Sequence, residues 1–209
     1  MKDSAIILDL DDTLIATHYR QYRCINDYLQ GKGISFVGFE EYFHLRRTHH
    51  LSNSSLLKYL HINPHWEKFN SYYQQNIESK NYLAADTLIA DRQLLAQVKE
   101  KKHALILLSL RSNPANSLHQ LQQLGLATYF DEIHFVQHQL SANSKIPLLR
   151  LLSQSHDIIA FCGDSLSDYE AAVQLNINFV QVKTSLYDLP GFEKSIQFTD
   201  INQYFLSIL

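Results

Sequence analysis

A short apolar run near the N-terminus ends in two closely spaced aspartates. Residues 5–8 are aliphatic on both faces, which is typical of a central parallel strand covered by helices on either side. Asp9 and Asp11 come directly after this run, and ligands of open α/β sheets bind beyond the carboxyl ends of the strands. Because the two carboxylates repel each other, they require compensation, usually by a divalent cation that assists cleavage of a phosphate ester. Alternatively, Asp11, Asp12 and Thr13 could cap a helix that follows the strand.

Four further apolar runs predict strands, and from residue 104 onward they alternate with helical patterns. This alternation is the signature of βαβ units, in which parallel strands form one sheet with helices on its faces. We therefore expect an α/β fold with a Rossmann-like parallel sheet flanked by helices. The further runs are residues 104–108, 132–136, 158–162 and 178–182.

Two of the intervening helices have recognisable ends. The first has Ser112 or Asn113 as a possible N-cap and Pro114 in its first turn. Gly125 ends this helix as a left-handed cap, and Asn176 stands at the same position after the second helix. The apolar faces are predicted to contain Leu118, Leu121 and Leu124 in the first helix and Leu166, Tyr169 and Val173 in the second.

Residues 17–85 contain several helical patterns and no convincing strand. This segment holds 13 of the 24 aromatic residues and 6 of the 11 histidines. Aromatic residues at this density indicate first of all a small core that needs bulky side chains. We therefore predict a helical cap domain, residues 17–85, inserted into an α/β core domain of residues 1–16 and 86–209. Its helices are predicted at residues 19–30, 39–47, 54–60 and 64–79.

Composition and charge argue against several classes of protein. The net charge of −3 argues against nucleic acid as the main partner. The longest apolar stretch, residues 104–110, is too short to cross a bilayer, and the N-terminus lacks a signal-peptide pattern. The two cysteines, Cys24 and Cys162, indicate neither a disulfide framework nor a zinc site. We expect a cytoplasmic protein with no membrane partner, either a monomer or a homodimer.

Polar residues that could form one site occur at the ends of the later strands. The triplet Ser109-Leu110-Arg111 ends the second strand, Lys145 precedes a predicted helix, and residues 163–168 follow the fourth strand. Each has a simpler explanation, namely a turn, a solvated lysine, and a capping box made by Ser165 and Asp168. Because all of them lie at strand ends or helix starts that face the same crevice, their combination favours a functional site.

Together these features resemble the haloacid dehalogenase (HAD) superfamily, in the phosphoglycolate phosphatase-like branch that carries a helical cap after the first motif. The segment Asp9-Leu10-Asp11-Asp12-Thr13 is similar to the first family motif, DxDxT. Residues 163–168 are similar to the fourth motif, GDxxxD, while Ser109 and Lys145 are similar by position to the second and third. The resemblance runs from residue 5 to about residue 182.

This resemblance implies a mechanism and a metal. Asp9 would attack phosphorus in line and form an aspartyl phosphate. Asp11 would donate a proton to the leaving oxygen and later take one from the hydrolytic water. Mg²⁺ would be held by the Asp9 carboxylate, the Asp11 backbone carbonyl and Asp164. Asp168, one helical turn beyond Asp164, would reach the metal or its waters.

The resemblance also implies how the transferring phosphoryl group is bound. Ser109 and Lys145 would contact its oxygens, and Lys145 would offset the negative charge around Asp9. The backbone amides of Leu110 and Arg111 could add hydrogen-bond donors.

Asp11 also favours phosphate-ester chemistry over dehalogenation. Displacement of a halide needs no proton donor, and the dehalogenases of this family lack an aspartate at that place. The sequence departs from the usual family pattern at Asp12 and Asn176, which replace glycines, and at Lys145, which lacks the common Lys-Pro-x-Pro neighbourhood.

Substrate selection is expected to come from the helical cap. The candidate residues are Arg46, Arg47 and Asn53, in a stretch predicted to lie between two cap helices near the site. Most other polar residues of the segment are expected to form a solvated helix face. Arg111, just after Ser109, could contact the non-reacting part of the substrate.

The leading hypothesis is a Mg²⁺-dependent phosphatase that acts on a small phosphorylated metabolite. Two alternatives stay open, a phosphomutase of the same superfamily and a catalytically idle binding module with the same fold. An idle module predicts decay of the acidic motif residues, whereas Asp9, Asp11, Asp164 and Asp168 are all present.

Overall fold

The computed structural model describes residues 3–139, 142–186, 191–193 and 195–209. The strands in these residues are β1 (Asp3–Leu8), β2 (Ile15–Ala16), β3 (Thr87–Leu88), β4 (Ala104–Leu110), β5 (Glu132–Val136), β6 (His156–Gly163), β7 (Phe179–Val182) and β8 (Ile196–Phe198). The helices are α1 (His18–Gln30), α2 (Phe39–His49), α3 (Asn53–Tyr59), α4 (Trp66–Asn76), α5 (Lys80–Leu83), α6 (Arg92–Glu100), α7 (Pro114–Gln123), α8 (Lys145–Ser155), α9 (Leu166–Gln174) and α10 (Ile201–Ile208).

Six parallel strands form one sheet in the order β5-β4-β1-β6-β7-β8. The first apolar run is indeed central, since Ile7 of β1 is paired with Ile106 of β4 on one side and with Phe161 of β6 on the other. Successive residues of a strand point to opposite faces, so an apolar run with no alternation covers both faces. Ile6 and Leu8 accordingly join the core on one face, while Ile7 joins the core on the other. The predicted α/β fold class is confirmed.

All five predicted strands of the sheet are present, but three strands were not predicted. β8 forms an edge of the sheet, and its Ile196 and Gln197 are exposed, so it carries no apolar run that a sequence pattern could reveal. β2 and β3 are only two residues long and pair with each other in an antiparallel ribbon. Such short pairs arise from tertiary contact and leave no periodicity in the sequence.

The ends of these two helices agree with the prediction better than their buried faces do. Asn113 caps α7, and its side-chain oxygen accepts from the Asn116 amide at 3.0 Å. Gly125 and Asn176 have the expected positive φ, 66° and 55°. The predicted apolar faces are wrong in part, because Leu118 of α7 is exposed.

The predicted apolar face of α9 is wrong at two of its three positions. Leu166 and Val173 are exposed, and the face that packs inward carries Asp168, Ala171 and Ala172 instead. The physical reason is that Asp168 is held inward by polar contacts at the strand ends, which rotates the two large aliphatic residues toward solvent.

The described residues fall into two compact units. One contains the chain before Thr17 and most of the chain after Asp86, and it includes the sheet. The other consists mainly of Thr17–Asp86 and contains helices α1 to α5. We refer to the first as the sheet unit and to the second as the helical unit. No helix among the described residues is long and apolar enough to span a membrane.

The helical unit has a core of its own, rich in aromatic residues. The four predicted helices are present with ends shifted by up to three residues, and α5 was not predicted because it spans only a single turn. Tyr28, for example, packs edge-on against Phe69 with ring centroids 5.3 Å apart. One cluster of buried core residues in this unit consists of Ile25, Tyr28, Leu29, Tyr42, Leu56, Leu57 and Phe69.

Candidate active site

The loop after β1 is a tight backbone turn rather than the start of a helix. The Asp9 amide donates to the Cys162 carbonyl of β6 at 2.9 Å, which extends the sheet pairing by one residue. The Asp12 amide then donates to the Ile15 carbonyl at 2.7 Å, and Asp12 has a φ of 54°. The chain next forms β2, and α1 begins only at His18. The alternative that residues 11–13 cap a helix is therefore wrong.

Lys145 lies at the first turn of α8 and is buried. Its side chain is only 2% exposed, and Nζ lies 2.6 Å from Asp9 Oδ1 and 2.5 Å from Asp168 Oδ1. Asn143 Oδ1 accepts from the Lys145 amide at 3.1 Å and supports the start of the helix. The alternative of a solvated surface lysine is wrong, because this ammonium group joins the carboxylate that follows β1 to a carboxylate in the first turn of α9.

The segment after β6 serves both as a capping box and as part of this cluster. Asp168 Oδ2 accepts from the Ser165 hydroxyl at 2.6 Å, while the Ser165 hydroxyl accepts from the Asp168 amide at 3.3 Å. Asp168 Oδ1 remains the partner of Lys145. Gly163 is required here for space, since a Cβ at this position would lie 2.6 Å from Asp168 Oδ2. The capping box therefore fixes the carboxylate that meets Lys145.

Three buried carboxylates come together at the carboxyl ends of β1 and β6. One oxygen from each of Asp9, Asp164 and Asp168 lies within 4.8 Å of the other two. Thr13 Oγ1 donates to Asp164 Oδ1 at 3.4 Å, so the loop after β1 also touches the loop after β6. The structure thus brings together Asp9, Lys145, Asp164 and Asp168, which come from three separate segments.

The electrostatics of this cluster indicate too much negative charge for one lysine. Burial, together with Asp168 and Asp11, raises the pKa of Asp9 to about 7 despite the opposing effect of Lys145. Burial and the charges of Asp12 and Asp9 raise the pKa of Asp164 well above its usual value. Burial by itself would lower the pKa of Lys145, but its two carboxylate partners outweigh this and raise it.

A divalent cation fits this donor set. Hard cations such as Mg²⁺ take carboxylate oxygens. A second positive charge would stabilise the buried carboxylates and relieve the repulsion that, together with burial, raises the pKa values of Asp9 and Asp164. The Asp11 side chain does not belong to the three-carboxylate group. Its predicted contribution to the metal, a backbone carbonyl, stays a prediction.

Asp11 is instead paired with Arg111 at the end of β4. Arg111 NH2 forms an ion pair with Asp11 Oδ1, and the same nitrogen lies 3.3 Å from Gln120 Oε1 of α7. The prediction that the Arg111 amide could bind phosphate is wrong, because that amide donates to the Val136 carbonyl at 3.0 Å.

The other two residues of the triplet lie at the end of β4. Ser109 is buried beside Phe135 of β5, and Leu110 is the last residue of the strand and partly buried. Both positions agree with the predicted location at a strand end, and their contact with a phosphoryl group stays a prediction.

Several polar residues at this end of the sheet were missed in the sequence. The Thr184 hydroxyl, after β7, donates to the Asp12 carbonyl, and the Asn143 side chain donates to the Ser167 carbonyl at 2.6 Å. Gln120 was missed because the buried face of α7 carries Ser117, Gln120 and Leu121 rather than the predicted leucine stripe. The only signal in the sequence for a buried Gln120 was its position directly before Leu121, which is buried on α7.

The predicted substrate residues belong to the helical unit. Arg46 lies within α2 rather than between two helices, and it is buried. Its NH1 donates to the Tyr42 hydroxyl at 2.7 Å and to Asn53 Oδ1 at 2.5 Å, and its Nε donates to the Leu51 carbonyl at 2.8 Å. Arg47 Cζ lies 5.9 Å from the centre of the Phe43 ring, and Asn53 begins α3. Arg46 therefore joins α2 to the start of α3.

Solved structures with the same fold cover almost the whole chain. A predicted phosphatase from Clostridium acetobutylicum superposes with a TM-score of 0.69 at 18% identity, covering 100% of this chain and 99% of that one. Protein tyrosine kinase A from Mycobacterium tuberculosis gives a TM-score of 0.76 at 17% identity, covering 99% and 98%. A predicted phosphoglycolate phosphatase from Haemophilus somnus gives 0.65 at 17% identity, covering 98% and 97%. At these identities the likeness establishes the fold.

No curated protein matches the chain in sequence. The model of one protein family, however, matches residues 6–182, which include both aspartate motifs, Ser109 and Lys145. This match agrees with the resemblance seen in the motifs and with the geometry at the strand ends. The chain therefore belongs to the family of haloacid dehalogenase-like hydrolases.

Proposed function

We propose that this hydrolase is a Mg²⁺-dependent phosphatase that acts on a small phosphorylated metabolite. The observation that carries the proposal is the buried contact of Lys145 with both Asp9 and Asp168, beside Asp164. An ammonium group bound to the nucleophile is suited to contact the oxygens of an incoming phosphoryl group as well. The excess of carboxylates over this lysine supplies the donor set for a metal ion.

In this proposal the reaction has two steps. The Asp9 carboxylate attacks phosphorus and forms an aspartyl phosphate, while the bond to the leaving oxygen breaks and that oxygen takes a proton from Asp11. Asp11 then takes a proton from water, whose oxygen attacks phosphorus, and the Asp9 carboxylate and inorganic phosphate are released. Ser109 and Lys145 hold the phosphoryl oxygens during both steps.

The metal would be held by the carboxylates of Asp9, Asp164 and Asp168, together with the Asp11 carbonyl. When bound, Mg²⁺ supplies positive charge that stabilises the phosphoryl oxygens and offsets the repulsion within the cluster. The helical unit is proposed to act as the cap that selects the substrate, with Arg47 and Asn53 as candidate contacts. Arg46 is a weaker candidate, because its guanidinium group already bonds within that unit.

The test is hydrolysis of 4-nitrophenyl phosphate by the wild type and by Asp9→Asn. We expect turnover that requires Mg²⁺, stops with EDTA and falls at least about a thousandfold in the variant, because the nucleophile is lost. Asp157→Asn, which changes an exposed carboxylate on β6, is the matched control and should retain full activity. Activity that survives in Asp9→Asn would refute the proposal. Product analysis with sugar phosphates separates the phosphatase from a phosphomutase.

A further inference from the structure

The ion pair between Arg111 and Asp11 assigns a role to a residue outside the four motifs. Arg111 is the first residue after β4, and its side chain is only 1% exposed, whereas the Asp11 side chain is 30% exposed. The guanidinium group is therefore the fixed partner, and the carboxylate is the partner that reaches toward open space. Nothing in the sequence pattern linked these two residues, which are 100 positions apart.

Gln120 supports the guanidinium group from a different element. Gln120 is buried on α7, and its Oε1 lies 3.3 Å from the same nitrogen that contacts Asp11. One nitrogen of Arg111 is thus shared between a charged acceptor from the β1 loop and a neutral acceptor from α7. A guanidinium group is planar, and its N–H groups point in fixed directions. The contact with Gln120 therefore also fixes the direction in which this nitrogen meets Asp11 Oδ1.

We propose that Arg111 is a positioning residue for Asp11, supported by Gln120, rather than a ligand of the substrate. This inference rests on the proposed function, in which Asp11 transfers the proton. A proton donor must lie within hydrogen-bond reach of the leaving oxygen, and a misplacement of about 1 Å is costly to the rate. Arg111 acts through Asp11, so its loss should affect only reactions that need that proton.

The leaving group provides the test. 4-Nitrophenolate leaves readily without a proton, whereas phenolate from phenyl phosphate needs one more strongly, and the two substrates have the same ring. Values of kcat/KM report the steps up to phosphoryl transfer to Asp9. For Arg111→Met we expect a loss of about 30-fold or more with phenyl phosphate, within the usual range for acid catalysis, and of less than about threefold with 4-nitrophenyl phosphate.

Coupling between the two residues gives a second, independent readout. In an Asp11→Asn background, adding Arg111→Met should change kcat/KM for phenyl phosphate less than about twofold, because the group that Arg111 positions is already lost. Inhibition by inorganic phosphate should be unaffected in Arg111→Met. Arg150→Met, at an exposed arginine on α8, is the control and should leave both substrates unaffected.

Three results would overturn the inference. Equal losses with both substrates, or weaker inhibition by phosphate in Arg111→Met, would make Arg111 a phosphate ligand or a structural residue. Full additivity in the Asp11→Asn background would do the same. If Arg111→Met does not fold, Arg111→Lys and Gln120→Leu carry the same comparison, with intermediate losses expected for phenyl phosphate only. Failure of the proposed function is distinct, since the wild type would then be inactive or Asp9→Asn active.

Discussion

At the scale of single residues, the excess of negative charge around Lys145 is the feature that most favours a metal ion. Lys145 neutralises one charge, while Asp9, Asp164 and Asp168 supply up to three in a buried space. Burial raises the pKa values of Asp9 and Asp164, and the neighbouring carboxylates raise them further. In the metal-free protein these carboxylates therefore oppose folding, and a bound cation would reverse the sign of their effect.

We predict that Mg²⁺ raises the Tm of the wild type and not that of Asp164→Asn. A ligand that binds only the native state at about a hundredfold excess over its Kd adds about 2.7 kcal/mol of stability, which is several degrees for a chain of this size. Asp164→Asn removes one repelling charge and keeps an oxygen for the Thr13 hydroxyl. We therefore expect its metal-free Tm to equal or exceed that of the wild type.

Thermal denaturation with Mg²⁺ and with EDTA measures both effects. Asp157→Asn should respond to Mg²⁺ as the wild type does, because its carboxylate is exposed near the start of β6, at the opposite end of that strand from Asp164. An undiminished response in Asp164→Asn would mean that the cation binds elsewhere.

The site residues that could be predicted from the sequence are those fixed by backbone position. Asp9, Lys145 and Asp164 lie where strands end or helices begin, and parallel strands bring such positions together. Side-chain direction was not predictable in the same way. Arg111 pairs with Asp11, and Arg46 turns inward to Tyr42 and Asn53, because these directions depend on polar partners that only the folded chain brings near.

At the scale of elements, the residue after the end of α6 has a left-handed backbone conformation that glycine would adopt more easily than lysine. Lys102 follows the last turn of α6 and has a φ of 64°, in the left-handed region that favours glycine. Its side chain is exposed. The chain thus has a lysine at the position where helices most often place glycine.

We predict that Lys102→Gly raises the free energy of unfolding by about 0.5–1 kcal/mol. Glycine removes the steric cost of a Cβ in the left-handed conformation, which exceeds the added entropy of the unfolded chain at such positions. Urea denaturation measures the change. Lys102→Ala removes the same charge and keeps the Cβ, so it should show no gain, and equal gains in both variants would assign the effect to charge.

Elements were predictable in proportion to how much apolar surface they bury. The central strands β1, β4 and β6 are apolar on both faces and were found from the sequence, whereas the exposed edge strand β8 was not. The faces of α9 were misjudged for a related reason. Asp168 faces inward because Lys145 and Ser165 bind it, and two small alanines follow it, so hydrophobicity alone pointed to the wrong side.

At the scale of the whole molecule, the two ends of the helical unit are joined by a buried ion pair. Arg20 lies in the first turn of α1, and Asp86 is the last residue before β3. Arg20 NH1 lies 3.2 Å from Asp86 Oδ2, and the side chains are 4% and 0% exposed. The pair therefore connects the point where the chain enters this unit with the point where it leaves.

Breaking this pair from one side should destabilise the helical unit. Arg20→Met removes one side of this buried pair while the Asp86 carboxylate stays buried, a change that typically costs about 3–5 kcal/mol. Replacing both residues, as in Arg20→Met with Asp86→Leu, removes the buried charges together and should recover most of that loss. Trp66, the only tryptophan of the chain, lies in α4, so its fluorescence during urea denaturation follows this unit.

The exposed pair of Arg23 and Asp27 on α1 provides the comparison. Their side chains are 35% and 37% exposed at a separation of 3.8 Å, so Arg23→Met should cost about 1 kcal/mol or less. If Arg20→Met costs no more than Arg23→Met, the buried pair does not hold the two ends together. If the double variant is as unstable as Arg20→Met, the loss comes from packing rather than from an uncompensated charge. The connection between the points where the chain enters and leaves the unit would then be assigned to the neighbouring hydrophobic core.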